Sequence, residues 1–248
     1  MNIYLFGSTG MLGGYVKDVL SKVYNVITIN RDKYNILNNN DVQLTDMLSE
    51  LNNDDVIINC AGIIPQTKNN NIKDYIIVNT LFPYKLQEIA DKKKCKLIHI
   101  TTDCVFNGNK GNYNENDIHD EESIYGISKS LGQPNNACII RTSFIGKQIC
   151  TDNRLEFLEW IISNKNNTIN GFTNHYWNGI TCLTLANIIK DIITKKLFWK
   201  GCRHIYSPNS LSKYELCKLI NNTYKLNINI NEYETEKKID KTITSIYE

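Results

Sequence analysis

The 248-residue sequence predicts an α/β fold, a doubly wound parallel sheet with a small C-terminal lobe, and three observations carry that expectation. Short runs that are apolar at nearly every position recur through the first half, as strands covered on both faces require. Amphipathic stretches of helical period lie between them, so strand and helix alternate as in βαβ units. A Gly-x-x-Gly-x-x-Gly turn, made by Gly7, Gly10 and Gly13, directly follows the first run. The preference for right-handed crossovers leaves the Rossmann-type sheet as the leading topology.

Asn2 to Phe6 (NIYLF) reads as a buried strand, followed by the glycine turn and a helix from Met11 to Lys22. Asn25 to Asn30 is a second strand. Asp41 to Leu51 has a helical pattern, with Asp41 as the expected cap. Val56 to Cys60 is a third strand, and Ile72 to Lys93 a long helical stretch in which Pro83 forces a kink or restart. Lys96 to Thr101 and Ala137 to Ser143 complete the strands of the first half. Beyond Gly146 the pattern shifts to longer helices, at Asp152 to Asn164, Cys182 to Lys196 and Ser212 to Tyr224, with short strands such as Arg203 to Tyr206 between them. No Pro-, Gly- or Ser-rich linker separates the halves. Residues 1–146 therefore read as a dinucleotide-binding core, and 147–248 as mainly a substrate-binding lobe interleaved with it.

Each glycine of the turn has a physical task. Gly7 permits the tight exit from the strand, Gly10 lets a pyrophosphate approach the backbone, and Gly13 lets the helix pack closely. The phosphates would sit on the free N–H groups at the helix start. Gly7, Thr9, Gly10, Met11, Leu12 and Gly13 are accordingly candidate cofactor ligands. At the end of the second strand, where a carboxylate selects NAD, this chain has Asn30 and Arg31. A guanidinium matches a 2′-phosphate, which predicts NADPH. NADH is the alternative, because Asp32 lies next to Arg31.

Composition narrows the function classes. With 28 basic and 26 acidic residues the net charge is +2, which argues against broad binding to nucleic acid. The eight cysteines (Cys60, Cys95, Cys104, Cys138, Cys150, Cys182, Cys202 and Cys217) are scattered without zinc spacing, so buried free thiols in a reducing compartment are expected and no metal. No leader is evident, and no run reaches the roughly 18 apolar residues that span a membrane. The expectation is a cytoplasmic protein.

Three Tyr-x-x-x-Lys matches occur in this lysine-rich chain: Tyr125 with Lys129, Tyr214 with Lys218, and Tyr233 with Lys237. Only the first follows a strand that ends in hydroxyl residues, Thr101 and Thr102, at the sheet edge where ligands bind. The four-residue spacing puts Tyr125 and Lys129 on one helix face. A phenol is a poor base at neutral pH, and a nearby ammonium would favour its ionised form. In reduction, neutral Tyr125 would donate its proton to an oxygen that becomes anionic as hydride arrives, with Thr102 bonding the same oxygen. His99 reads as core, His119 as an exposed loop residue among acids, and His175 and His204 as having no partner at ligand spacing. Arg141 reads as a backbone anchor. Trp177 reads either as a platform for a base or sugar or as packing.

The motifs GSTGMLGG (Gly7 to Gly14), NCAG (Asn59 to Gly62), TTDCVFNG (Thr101 to Gly108), YGISKSLG (Tyr125 to Gly132) and RTSFIG (Arg141 to Gly146) together resemble an extended short-chain dehydrogenase, and specifically the dTDP-4-dehydrorhamnose reductase family. The resemblance covers about the first 150 residues and continues more faintly through NGIT and SKYEL. It implies Thr102, Tyr125 and Lys129 as the catalytic triad. It places Cys60, Ala61 and Gly62 along the cofactor, Asn35 and Ile36 near the adenine, and Thr102, Asp103, Phe144 and Trp177 toward the substrate. The related 4,6-dehydratases carry Glu where this chain has Cys104, so dehydration is not expected. The implied activity is NADPH-dependent 4-reduction of a dTDP- or UDP-linked 4-keto-6-deoxyhexose, with a nucleotide-sugar epimerase and a non-catalytic NADP-binding regulatory subunit as alternatives. The expected partner is a nucleotide sugar, with no nucleic acid and no membrane; a homodimer is left open.

Overall fold

Side chains that alternate along a buried strand must find partners on both faces of the sheet. In the computed structural model, which describes residues 1–66, 71–148 and 156–247, strand β1 (Asn2–Phe6) sends Ile3 and Leu5 into one apolar cluster and Tyr4 and Phe6 into another. Helix α1 (Met11–Leu20) covers the first face with Leu12 and Val16. After β2 (Asn25–Ile29), helix α2 (Asp41–Met47) brings Leu44 to the second face. Then come β3 (Val56–Asn59), α3 (Ile72–Tyr75), α4 (Phe82–Lys93), β4 (Lys96–Thr102), α5 (Ile124–Leu131) and β5 (Cys138–Thr142). The second half runs through β6 (Phe144–Ile145), α6 (Phe157–Ser163), β7 (Thr168–Phe172), β8 (His175–Trp177), β9 (Ile180–Thr181) and α7 (Cys182–Thr194), then β10 (Gly201–His204), β11 (Leu211–Ser212), α8 (Lys213–Tyr224), β12 (Asn229–Tyr233) and β13 (Ile239–Asp240).

Among the described residues the principal sheet has six strands in the order β10-β5-β4-β3-β1-β2, and every pairing in it is parallel. The chain winds outward from β1 in both directions, so the strand order reverses between β1 and β3. A crevice opens beyond the carboxyl ends at such a point. Helix α7 joins α1 on one face, contributing Leu185 and Ile189 to the same cluster as Ile3 and Leu5. A separate cluster, with Leu158, Ile161, Ile169 and Leu216, ties α6, β7 and α8 into a smaller layer. Residues beyond 146 therefore build this layer and also supply α7 and β10 to the main sheet. No helix among the described residues is long and apolar enough to cross a membrane.

Several local expectations change. Asn40, not Asp41, caps α2, accepting the Gln43 N–H at 3.1 Å. That helix ends at Met47, and tight bends then return the buried Leu48 and Leu51 to the core. The stretch Ile72 to Lys93 is continuous, but Ile76–Leu81 widens into a π-helix and α4 starts with Pro83 in its first turn. The wide turn absorbs the proline, which has no N–H to give the preceding turn. For the helix expected at Asp152 to Asn164 the observed span is Phe157–Ser163; positions 152–155, like Cys150, lie outside the described residues. The seven described cysteines are unpaired.

The largest departure is around Arg141, which is buried and grips side chains rather than backbone. Its guanidinium donates to His204 Nε2 at 2.8 Å, His119 Nε2 at 2.7 Å and Gln133 Oε1 at 2.8 Å, and lies over the Phe106 ring. His119 is thus half-buried and held rather than exposed, and His204 is tied to the same guanidinium. Each imidazole has its other nitrogen on an oxygen, Ser130 Oγ at 2.6 Å for His119 and the Thr244 carbonyl at 2.7 Å for His204. Both rings accept from Arg141, so both must be neutral. Burial and the Arg141 charge push each down to about 4, against the opposing charges of Asp120 on His119 and Glu115 on His204.

A histidine held below its ordinary value takes up its proton later in the folded chain than in the unfolded one. Its contribution is complete above about pH 6.5 and is lost as pH falls toward 4. Moving from pH 7 to pH 5 should therefore remove on the order of 3 kcal/mol of stability. Thermal unfolding of the wild type and of His204→Gln across this range measures it. A wild-type midpoint flat between pH 7 and pH 5 would contradict the neutral-ring arrangement.

Candidate active site

The carboxyl ends of the parallel strands share one rim, and a cleft of about 1380 Å³ follows it. At the crevice between β1 and β3, Gly7 takes a φ of +77°, and an added Cβ there would stand 2.6 Å from Ala61 N. The turn and the loop after β3 are thus in backbone contact. An added Cβ on Gly13 would stand 2.0 Å from Gly7 O, so this glycine serves packing between helix and turn and does not line the cleft. Gly10 differs. A Cβ there would meet only Gly7 O, at 3.3 Å, and Gly10 borders the cleft. Protein packing alone leaves that space open, as a pyrophosphate would need. Helix α1 has no side-chain cap, so the N–H groups of its first turn are offered to the cleft. This donor set and this opening fit a dinucleotide.

Thr9, Met11 and Leu12 line the cleft beside the turn, and Cys60, Ala61 and Gly62 line it after β3. The latter loop is held by side chains whose role a single sequence does not reveal. Asn59 Oδ1 accepts the Ala61 N–H at 3.0 Å, while its Nδ2 faces the buried His99 Nδ1 at 3.1 Å. Asn79, in the π-helix, bonds both the N–H and the carbonyl of Ile63 at 2.9 Å and also donates to Ser128 Oγ. At the far end, Arg31 and Asp32 are exposed on the rim and Asn35 and Ile36 sit beside them. Asp32 Oδ2 accepts from Asn30 Nδ2 at 3.5 Å.

The other end brings Thr102, Asp103, Tyr125, Lys129 and Phe144 to the same cleft. Thr102 closes β4, and its Oγ accepts the Cys104 N–H at 3.1 Å while donating to Asp103 Oδ1 at 3.1 Å. Ser123 caps α5 by accepting the Gly126 N–H. Gly126 lets that helix press against the preceding loop, since an added Cβ would lie 2.7 Å from Cys104 O. Tyr125 is thereby set near Thr102, and both line the same end of the cleft. One turn further, Lys129 is buried and donates from Nζ to the Ile100 carbonyl at 3.0 Å, close to Gly62.

Burial dominates the electrostatics. It pushes the Tyr125 phenol well above its ordinary value, with Cys104 and Asp103 adding to the rise and Thr102 opposing it. The anticipated acidifying effect of Lys129 on this phenol does not govern: desolvation wins, and the group stays protonated at neutral pH. Burial also lowers Lys129 to about 8 and raises the Asp103 carboxyl, against the pull of Lys241 and Thr102. The Cys104 thiol is pushed up to about 12, so at neutral pH it is uncharged and adds to the rise at Tyr125 only in strong base. The chemistry on offer is proton donation to an oxygen held near Thr102. Trp177 does not line the cleft: it packs against the α6–β7–α8 cluster, and its Nε1 donates to Ser143 Oγ at 2.7 Å.

Comparison with known proteins places these features in context. A family model described as the RmlD substrate binding domain matches residues 1–242. The spore coat polysaccharide biosynthesis protein SpsK of Bacillus subtilis (strain 168) is 35% identical over 101 residues, covering 37% of this chain and 35% of that protein. The matched part thus spans about a third of that curated relative's length. Among solved structures, a dTDP-4-dehydrorhamnose reductase from Yersinia enterocolitica is 25% identical with a TM-score of 0.81, covering 99% of this chain and 91% of that one. The corresponding reductase from Bacillus anthracis str. Ames, in complex with NADP, is 22% identical with a TM-score of 0.83, covering 98% and 90%. The latter likeness is one of fold.

Proposed function

The chain belongs to the RmlD substrate binding domain family, and on that premise we propose that it is an NADPH-dependent reductase of the 4-keto group of a dTDP- or UDP-linked 6-deoxyhexose. The observation that carries the reading is the convergence of Thr102, Tyr125 and Lys129 at one end of the cleft that begins at the glycine turn. A bound reduced nicotinamide supplies the hydride. Tyr125 gives its phenolic proton to the carbonyl oxygen as that oxygen gains charge, and is reprotonated from solvent. Thr102 has one hydrogen, which it gives to Asp103; holding the substrate oxygen requires turning that hydrogen outward. Lys129 uses one donor on Ile100, leaving two for ribose hydroxyls. Phe144, at the same end of the cleft, borders the sugar.

Arg31 supports NADPH: a guanidinium at the end of β2 suits a 2′-phosphate. Cys104 weighs against dehydration, because a neutral thiol cannot act as a carboxylate base. Supplied with NADPH and a freshly generated 4-keto-6-deoxy nucleotide sugar, the protein should consume NADPH stoichiometrically and yield a sugar two mass units heavier. It should favour NADPH over NADH by about tenfold or more in kcat/KM, and Arg31→Ala should erase that preference. Turnover without net NADPH consumption would replace reduction by epimerisation, and binding without turnover would indicate a regulatory subunit. A clear NADH preference would overturn the cofactor assignment alone.

A further inference from the structure

We propose that Lys213 holds the phosphate end of the nucleotide sugar, in a small aromatic pocket beside the main cleft. The inference rests on the nucleotide-sugar reading for its substrate but on separate residues for its geometry. Lys213 opens helix α8 just behind a capping box. In that box Glu215 Oε2 accepts the Ser212 N–H at 2.7 Å, so the neighbouring carboxylate is turned toward Ser212. The Lys213 ammonium instead rests on aromatic faces, 4.7 Å from the Phe157 ring centre and 5.4 Å from that of Trp177. Among the described residues none forms a hydrogen bond or a close ion pair with it, and the Asp103 carboxylate attracts it only from farther away.

A half-buried cation without an acceptor is an incomplete arrangement, and ring faces offset its desolvation only in part. The missing component is an anion. The pocket it borders, about 170 Å³, is walled by Phe157, Trp160, Phe172 and His175 with Asn170 at its edge, surfaces suited to a planar ring. Anion and ring together describe a nucleoside diphosphate. One side chain joins the pocket's cation to the reaction end of the cleft. Trp177 supports Lys213 on one side and bonds Ser143, a cleft-lining residue, on the other. Trp177 thus acts through its neighbours rather than as a stacking platform.

Calorimetric titration of dTDP and of UDP into the wild type, Lys213→Met and Lys213→Arg tests this without turnover. Lys213→Met should weaken binding about tenfold or more while NADPH affinity stays within about twofold, and Lys213→Arg should restore most of the loss. In the keto-sugar assay, KM should rise by a similar factor with kcat nearly unchanged. Unchanged diphosphate binding in Lys213→Met would overturn the assignment, as would parallel loss of NADPH binding, which marks a structural role. Lys213-dependent diphosphate binding by a protein that reduces no keto sugar would sink the reductase reading and keep this one. Reduction by wild type with an unaltered KM in Lys213→Met would do the reverse.

Discussion

Tyr125→Phe should lower kcat for keto-sugar reduction by about 10²–10⁴-fold while leaving NADPH affinity unchanged. The phenol is held protonated by its burial and stands near the Thr102 hydroxyl, which can share the reacting oxygen. Phenylalanine keeps the ring and its packing against Ile63, Tyr75 and Val78, so the loss isolates the proton. Single-turnover NADPH oxidation reads the chemical step, and fluorescence titration reads the cofactor. A variant retaining more than about a tenth of the wild-type rate would dismiss Tyr125 as the acid. Loss of cofactor binding in step with activity would show that the substitution disturbed the cleft instead.

The second large effect is expected at the glycine turn, where two substitutions should separate folding from binding. Gly13→Ala puts a methyl group 2.0 Å from Gly7 O, a distance only a backbone shift can relieve. Overpacking of this kind costs about 1–3 kcal/mol or more, and the shift would spoil the N–H array of α1. Both the melting midpoint and NADPH affinity should fall, the latter by about 100-fold or more. Gly10→Ala places its methyl group in open cleft with one contact at 3.3 Å. Its midpoint should stay near the wild type while NADPH affinity drops, because the added group occupies the approach of the pyrophosphate. Equal affinity in Gly10→Ala and wild type would move the phosphates elsewhere.

Local pattern made much of this legible. NIYLF and VIIN are apolar on both faces because both faces are covered, and their observed bounds fall within one residue of those read from the sequence. The glycine turn was equally plain, since its spacing and its place after a strand are properties of one short segment. What stayed hidden depends on contacts between distant residues. His119, Arg141 and His204 carry no shared pattern in the sequence, yet the sheet brings them onto one guanidinium. Asn79 looks like an ordinary helical residue until the π-helix turns it toward Ile63. Lys213 was masked by the Tyr-x-x-x-Lys spacing of its neighbours Tyr214 and Lys218. The protonation of Tyr125 follows from burial, which the charge of a nearby lysine does not predict.

The interleaving of the two halves constrains how such a protein can diversify. A chain stopped after residue 146 would lack β10 at the sheet edge and α7 beside α1, leaving part of one face bare to water. The halves are therefore not interchangeable cartridges. Change in the smaller layer must therefore leave α7 and β10 in place, because the wound sheet depends on both.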